Sequence, residues 1–109
     1  MSEPIVAIIT CGTYDESEEI ASRLIEEKLA ACVKIAGRVR SLFEWKGTVS
    51  RETEFMLMVV SERAQFDDLT KRVKQLHSYD VPEIVGLPVI VGSEDYLDWI
   101  SESVGGEQE

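Results

Sequence analysis

Cys32-Val33-Lys34-Ile35-Ala36-Gly37-Arg38-Val39-Arg40-Ser41-Leu42-Phe43-Glu44-Trp45-Lys46-Gly47 is where the chain changes rhythm. Val33, Ile35, Val39, Phe43 and Trp45 stand at odd positions, with Lys34, Arg38, Arg40 and Glu44 between them. Such alternation belongs to a strand, because successive side chains of a pleated backbone point to opposite faces. Gly37 predicts a bulge or bend within it. Lys46-Gly47 predicts a tight turn, since glycine takes the positive φ that a hairpin needs. The return strand then runs over about 48–61. Its first half is polar and mixed. Phe55-Met56-Leu57-Met58-Val59-Val60 is apolar throughout, so both faces of that half must be covered. A long hairpin therefore sits in mid-chain.

Upstream, Ile5 to Ile9 is β-branched and apolar on both faces and reads as an interior strand ending near Cys11-Gly12. Asp15 with Glu18 predicts a capped helix start, and Ile20, Ala21, Leu24, Ile25 and Leu29 form one stripe over a helix of about 16–30. Downstream, Ser61-Glu62 is expected to open a second helix reaching Leu76, with Phe66, Leu69, Val73 and Leu76 on its apolar side. Pro82 drives Val81 toward an extended conformation, so this helix stops before the connector. A strand from Ile84 to Val91 follows, and Pro88 confines it to a sheet edge or a bulge. Ser93 caps a last helix in which Tyr96, Trp99 and Ile100 share a face. Val104 to Glu109 is expected to be disordered. With no repeat or linker, residues 1–109 are expected to form one domain.

The order β-α-β-β-α-β plus a helix predicts an α+β, ferredoxin-like split β-α-β sandwich: antiparallel strands in the order 4-1-3-2, with two helices on one face. The two apolar runs fall in the centre. Pro88 and the Lys34, Arg38, Arg40 series fall at the edges, which they blunt. Two helices on one face leave the other side of the central strands to be covered. The C-terminal helix is one source of cover, a second subunit the more economical one, and Trp45 at the hairpin tip is expected to pack in its interface.

The net charge of −10 argues against nucleic acid and anionic membranes as partners. No apolar run is long enough to cross a bilayer, and no basic segment followed by a long apolar one stands at the N-terminus. The two cysteines are accordingly expected to be free thiols in the cytosol. There is no Ser-His-Asp arrangement and no Gly-rich phosphate loop, so a catalytic role is not expected.

Cys11, Cys32 and His77 are the soft and borderline ligand types, suited to copper or zinc, but no CxxC or HxxxH spacing joins them. Topology puts the cysteines at opposite ends of the sheet, too far apart for a disulfide. Cys11 and His77 share one end; Cys32 joins them only from another chain, and more often such a free cysteine is a small buried apolar residue. His77, just past a helix end, is expected to be accessible and largely neutral at cytosolic pH. Tyr79, Asp80 and Glu83 offer oxygen ligands or support to a ligand, or else satisfy loop backbone.

Leu29-Ala30-Ala31-Cys32-Val33, Ser41-Leu42-Phe43-x-Trp45-x-Gly47, His77-x-Tyr79-x-Val81-Pro82-Glu83-Ile84, Leu87-Pro88 and Tyr96-Leu97-x-Trp99-Ile100 occur in order across nearly the whole chain. With these motifs the chain resembles the CutA family of divalent-cation tolerance proteins. The resemblance implies a fold similar to that of the PII signalling proteins, a tight homotrimer with Phe43 and Trp45 at its interface, and a cytoplasmic role in copper and divalent-metal tolerance. Lys34, Ser78, Asp80, Cys11 and Val60-Ser61 depart from the residues usual there, namely Asn, Pro, Glu, Thr and Lys-Thr. Two roles follow: a regulatory or buffering trimer that binds copper, another divalent cation or a small ligand, without a resident cofactor; or a structural trimer that anchors partner proteins. Metal titration separates them.

Overall fold

The computed structural model describes residues 3–105. Its elements are β1 (Pro4–Cys11), α1 (Tyr14–Glu26), β2 (Cys32–Trp45), β3 (Thr48–Glu62), a 3-10 turn (Arg63–Gln65), α2 (Phe66–Leu76), β4 (Ile84–Pro88) and α3 (Glu94–Ser103). The strands form one antiparallel sheet ordered β2-β3-β1-β4, the expected 4-1-3-2 read from the other edge. The α+β fold class stands.

Alternation assigns the two sheet faces. Ala7, Ile9, Cys11, Leu57 and Val59 point to one side and form a buried cluster with Ile20 and Leu24 of α1 and Leu69 and Val73 of α2. Register sets Val6, Val60 and Cys32 in one row of the opposite face, and Ile8, Met58 and Lys34 in the next. Val6, Ile8, Met56 and Met58 on that face remain partly exposed. α3 lies against β1 and β3, and the Ser101 hydroxyl donates to Glu62 Oε2 at 2.6 Å.

Gly37 sits where the β2–β3 register shifts, between Ala36 and Val39. A Cβ there would lie 2.3 Å from Phe55 Cδ2, which leaves room for glycine alone. Beyond the shift, β2 and β3 continue to Trp45 and Thr48 as a two-stranded arm, because β1 pairs with β3 only from Phe55 onward. The arm contributes to a longest extent of 47 Å. Lys46 (φ 51°) and Gly47 (φ 80°) make its turn, as the sequence predicts.

Several boundaries differ from those expected. Thr13, not Asp15, caps α1: the Glu16 N–H donates to Thr13 Oγ1 at 3.1 Å, and the helix starts earlier. It also ends earlier, where Leu29 and Ala30 N–H both turn back onto the Leu24 carbonyl at 2.9 and 3.2 Å. Ser61 does not open a helix. It pairs with Ile5 in the ladder, and its buried hydroxyl donates to the Leu29 carbonyl at 2.6 Å. α2 begins only at Phe66. β4 ends at Pro88 rather than Val91, because proline has no N–H to carry the ladder on. Val104, expected in a disordered tail, is buried, and the Gly105 N–H donates to the Lys28 carbonyl at 3.0 Å. Residues 106–109 of that tail lie outside the described residues.

Candidate functional site

Phe43 and Trp45 from the arm, and Tyr79, Asp80 and Glu83 from the connector after α2, line one cavity of about 770 Å³. The sequence suggests two separate roles for these residues, interface and ligand support; the fold brings them to one place. Thr10, Ser41 and Glu54 complete the polar part of the lining. β2 presents Phe43 and Trp45, β3 presents Glu54, and the bent connector brings Tyr79 to the same lining.

Glu54 is the residue that sequence reasoning missed. It is 7% exposed. Its Oε1 accepts from the Ser41 hydroxyl at 2.6 Å and its Oε2 from the Tyr79 hydroxyl at 2.8 Å. Among the described residues no lysine or arginine pairs with it. Burial is the main cause that pushes the Tyr79 phenol up to about 12, followed by its bond to Glu54 and the charges of Glu54, Glu16 and Glu52. Tyr79 thus stays protonated and donates near neutral pH.

His77 stands differently from expectation. Its side chain is 0% exposed rather than accessible. Nε2 lies 2.7 Å from the Thr10 carbonyl, which only accepts, so Nε2 carries the proton. Nδ1 accepts from the Tyr79 N–H at 3.1 Å. Both ring nitrogens are therefore engaged within the chain, and Nδ1 also lies 3.6 Å from Glu16 Oε2. Coordination of a metal through Nδ1 would displace the Tyr79 N–H. The ring fixes the connector to the end of β1 and so places Tyr79 over Glu54. Ser78 adds a second anchor: its N–H and hydroxyl donate to the two oxygens of Glu16 at 2.6 and 3.1 Å. The proline usual at that position in the resembling family has neither donor.

The cysteines do not join this group. Cys11 follows Thr10 but faces the helices, on the side away from Thr10, and is fully buried. Cys32 is partly exposed, with Lys34 Nζ 3.4 Å from its sulfur. Cys11 pairs with Phe55 and Cys32 with Val60, which separates them by about 17 Å along β3 at ~3.4 Å per residue. Both thiols are free, as expected. Among the described residues no three His, Cys, Asp or Glu side chains converge as a metal ion requires.

Burial, the largest cause, pushes the Cys11 thiol up from 9.0 to about 11; the nearby Glu16 and Glu54 charges add to this, and Ser17 opposes it. The folded state disfavours the thiolate, so below pH 9.0 the contribution to stability is complete, and it is lost as pH rises to about 11. Urea unfolding across this window is expected to show a decline on the order of 1–2 kcal/mol that Cys11→Ala lacks. Equal decline in both proteins would remove the thiol as its source.

Residues 5–103 match the family described as CutA1 divalent ion tolerance protein. The chain belongs to the CutA1 family. It is 43% identical over 100 residues to the divalent-cation tolerance protein CutA of Thermus thermophilus, covering 92% of this chain and 97% of the relative. Against the chloroplastic protein CutA of Arabidopsis thaliana it is 36% identical over 99 residues, covering 91% of this chain and 54% of that longer relative. The solved structure of CutA1 from Oryza sativa superposes with a TM-score of 0.94 at 35% identity, over 96% of each chain. The overall fold is thus that of CutA1 structures, and the family is named for divalent ion tolerance.

Proposed function

We propose that the protein serves divalent-cation tolerance as a homotrimer that binds a cation in a regulatory or buffering role and carries out no catalysis. Glu54 is the observation that carries the binding role. A buried carboxylate is costly without a counter-charge, and two hydroxyl donors meet its hydrogen-bonding needs but not its charge. The cavity above it opens to solvent and adds Asp80 and Glu83 at its lining. Assembly is supported by Val6, Ile8, Met56 and Met58, partly exposed on one sheet face, and by the two-stranded arm. Phe43 and Trp45 of the cavity wall are exposed in one chain, which supports a neighbouring copy that packs against them and supplies the ligands one chain does not bring together. Copper and zinc are the ions to test first, with Cys32, partly exposed on the sheet face opposite α1 and α2, as the available thiol. A cytosolic setting is supported by two free thiols. The net charge of −10 argues against nucleic acid or an anionic membrane as partner.

Two measurements test this. Light scattering at micromolar concentration should give three times the 12.3 kDa of one chain, and Trp45→Ala should shift the mass toward the monomer. Calorimetric titration with Cu²⁺ and Zn²⁺ should give saturable binding that Glu54→Gln or Cys32→Ser weakens at least about tenfold. A monomeric mass would end the assembly reading. A trimer that takes up neither ion would leave the structural, partner-anchoring role in its place.

A further inference from the structure

We infer that the cavity above Glu54 is a site for an organic polyammonium cation. This rests on reading Glu54 as the floor of a cation site, and it names a class of cation that the site would hold. Three features of the cavity converge on that class.

The first is charge without a partner. Glu54, Asp80 and Glu83 line the cavity, and no lysine or arginine does. Glu54 is buried with only neutral hydroxyl donors. The second is the wall. Phe43, Trp45 and Tyr79 place aromatic rings around the same space, and ring faces attract ammonium groups, most strongly that of tryptophan. The chain shows the preference itself: Lys46 Nζ sits 5.9 Å from the centroid of the Trp45 ring. The third is spacing. The acidic residues share a cavity, yet among the described residues no three potential ligands converge on one point. A bare copper or zinc ion needs about four ligand atoms converging on one point, so it would depend on ligands from a neighbouring copy. An elongated cation whose charged nitrogens are separated by methylenes needs only carboxylates and rings along its length. The volume, about 770 Å³, is that of an ordinary small-molecule pocket. The overall charge of −10 draws polycations toward the protein.

The test is isothermal calorimetry of the full chain with spermidine at about 0.15 M salt, where diffuse surface attraction is largely screened. Saturable binding is expected. Glu54→Gln should weaken it at least about tenfold, as loss of a charge-assisted contact does. Phe43→Leu removes the ring but keeps an apolar residue at a position that is 44% exposed in one chain; at unchanged assembly mass it should weaken binding about threefold or more. Glu44→Gln, an exposed carboxylate outside the cavity lining, should change it less than about twofold. Binding that vanishes at this salt, or that Glu44→Gln weakens as much as Glu54→Gln, would overturn the inference. If Cu²⁺ or Zn²⁺ binds in a Glu54-dependent way and spermidine does not, the polyammonium assignment fails while the cation site stands. If neither binds, both readings fail together.

Discussion

Replacing His77 with alanine is expected to destabilise the fold by about 3 kcal/mol, since the change removes a buried ring and both of its hydrogen bonds at once. The Thr10 carbonyl loses its Nε2–H donor at 2.7 Å and the Tyr79 N–H loses its Nδ1 acceptor at 3.1 Å. Each orphaned backbone group in a buried site costs roughly 1–3 kcal/mol. The connector is held at this end by little else than the Ser78–Glu16 contacts, so Tyr79 should also loosen from Glu54. Urea unfolding at fixed protein concentration measures the first effect, and weaker spermidine or metal binding reports the second. His77→Gln, which can still donate to Thr10, should recover part of the stability. If His77→Ala unfolds at the wild-type midpoint yet loses metal binding, the imidazole is a ligand after all and not a brace.

Leu57→Ala is expected to cost still more, about 3–5 kcal/mol, the upper range for leucine truncation in a close-packed core. Leu57 is 0% exposed and stands on β3 between Ile9 of β1 and Ile35 of β2. Its side chain faces the layer formed by Ile20, Leu24, Leu69 and Val73. Strands on both sides pin the backbone, so the space left behind cannot readily collapse. The comparison at the surface is Ile90→Ala. Ile90 is 86% exposed in one chain, so truncation should change stability by less than about 0.5 kcal/mol if nothing covers it. A cost above roughly 1 kcal/mol would mean that a neighbouring copy does. Both comparisons need one protein concentration, because assembly shifts apparent stability by mass action.

Much of this was decided by the sequence alone. The alternation from Val33 to Trp45 and the apolar run from Phe55 to Val60 suffice to define the hairpin, and Pro88 with the Lys34–Arg40 series marks the edges. Those patterns are local, since a two-residue period states which neighbours share a face whatever lies over it. The cavity was legible only as separate pieces. Tyr79, Asp80 and Glu83 lie together in sequence, whereas Phe43 and Trp45 lie on another strand, and only the packing joins them. Glu54 shows the limit. In sequence it is one polar residue in a mixed half-strand; its burial follows from Tyr79, 25 residues away, folding over it. His77 differs from expectation for the same reason: a residue past a helix end reads as exposed until β1 meets it, where the Thr10 carbonyl, 67 residues away, accepts a hydrogen bond from Nε2. By type Asp15 is the better cap than Thr13, and the backbone path out of β1 overrode that preference. Periodicity settles which way a side chain points; what meets it there depends on register between distant segments, which only the tertiary structure decides.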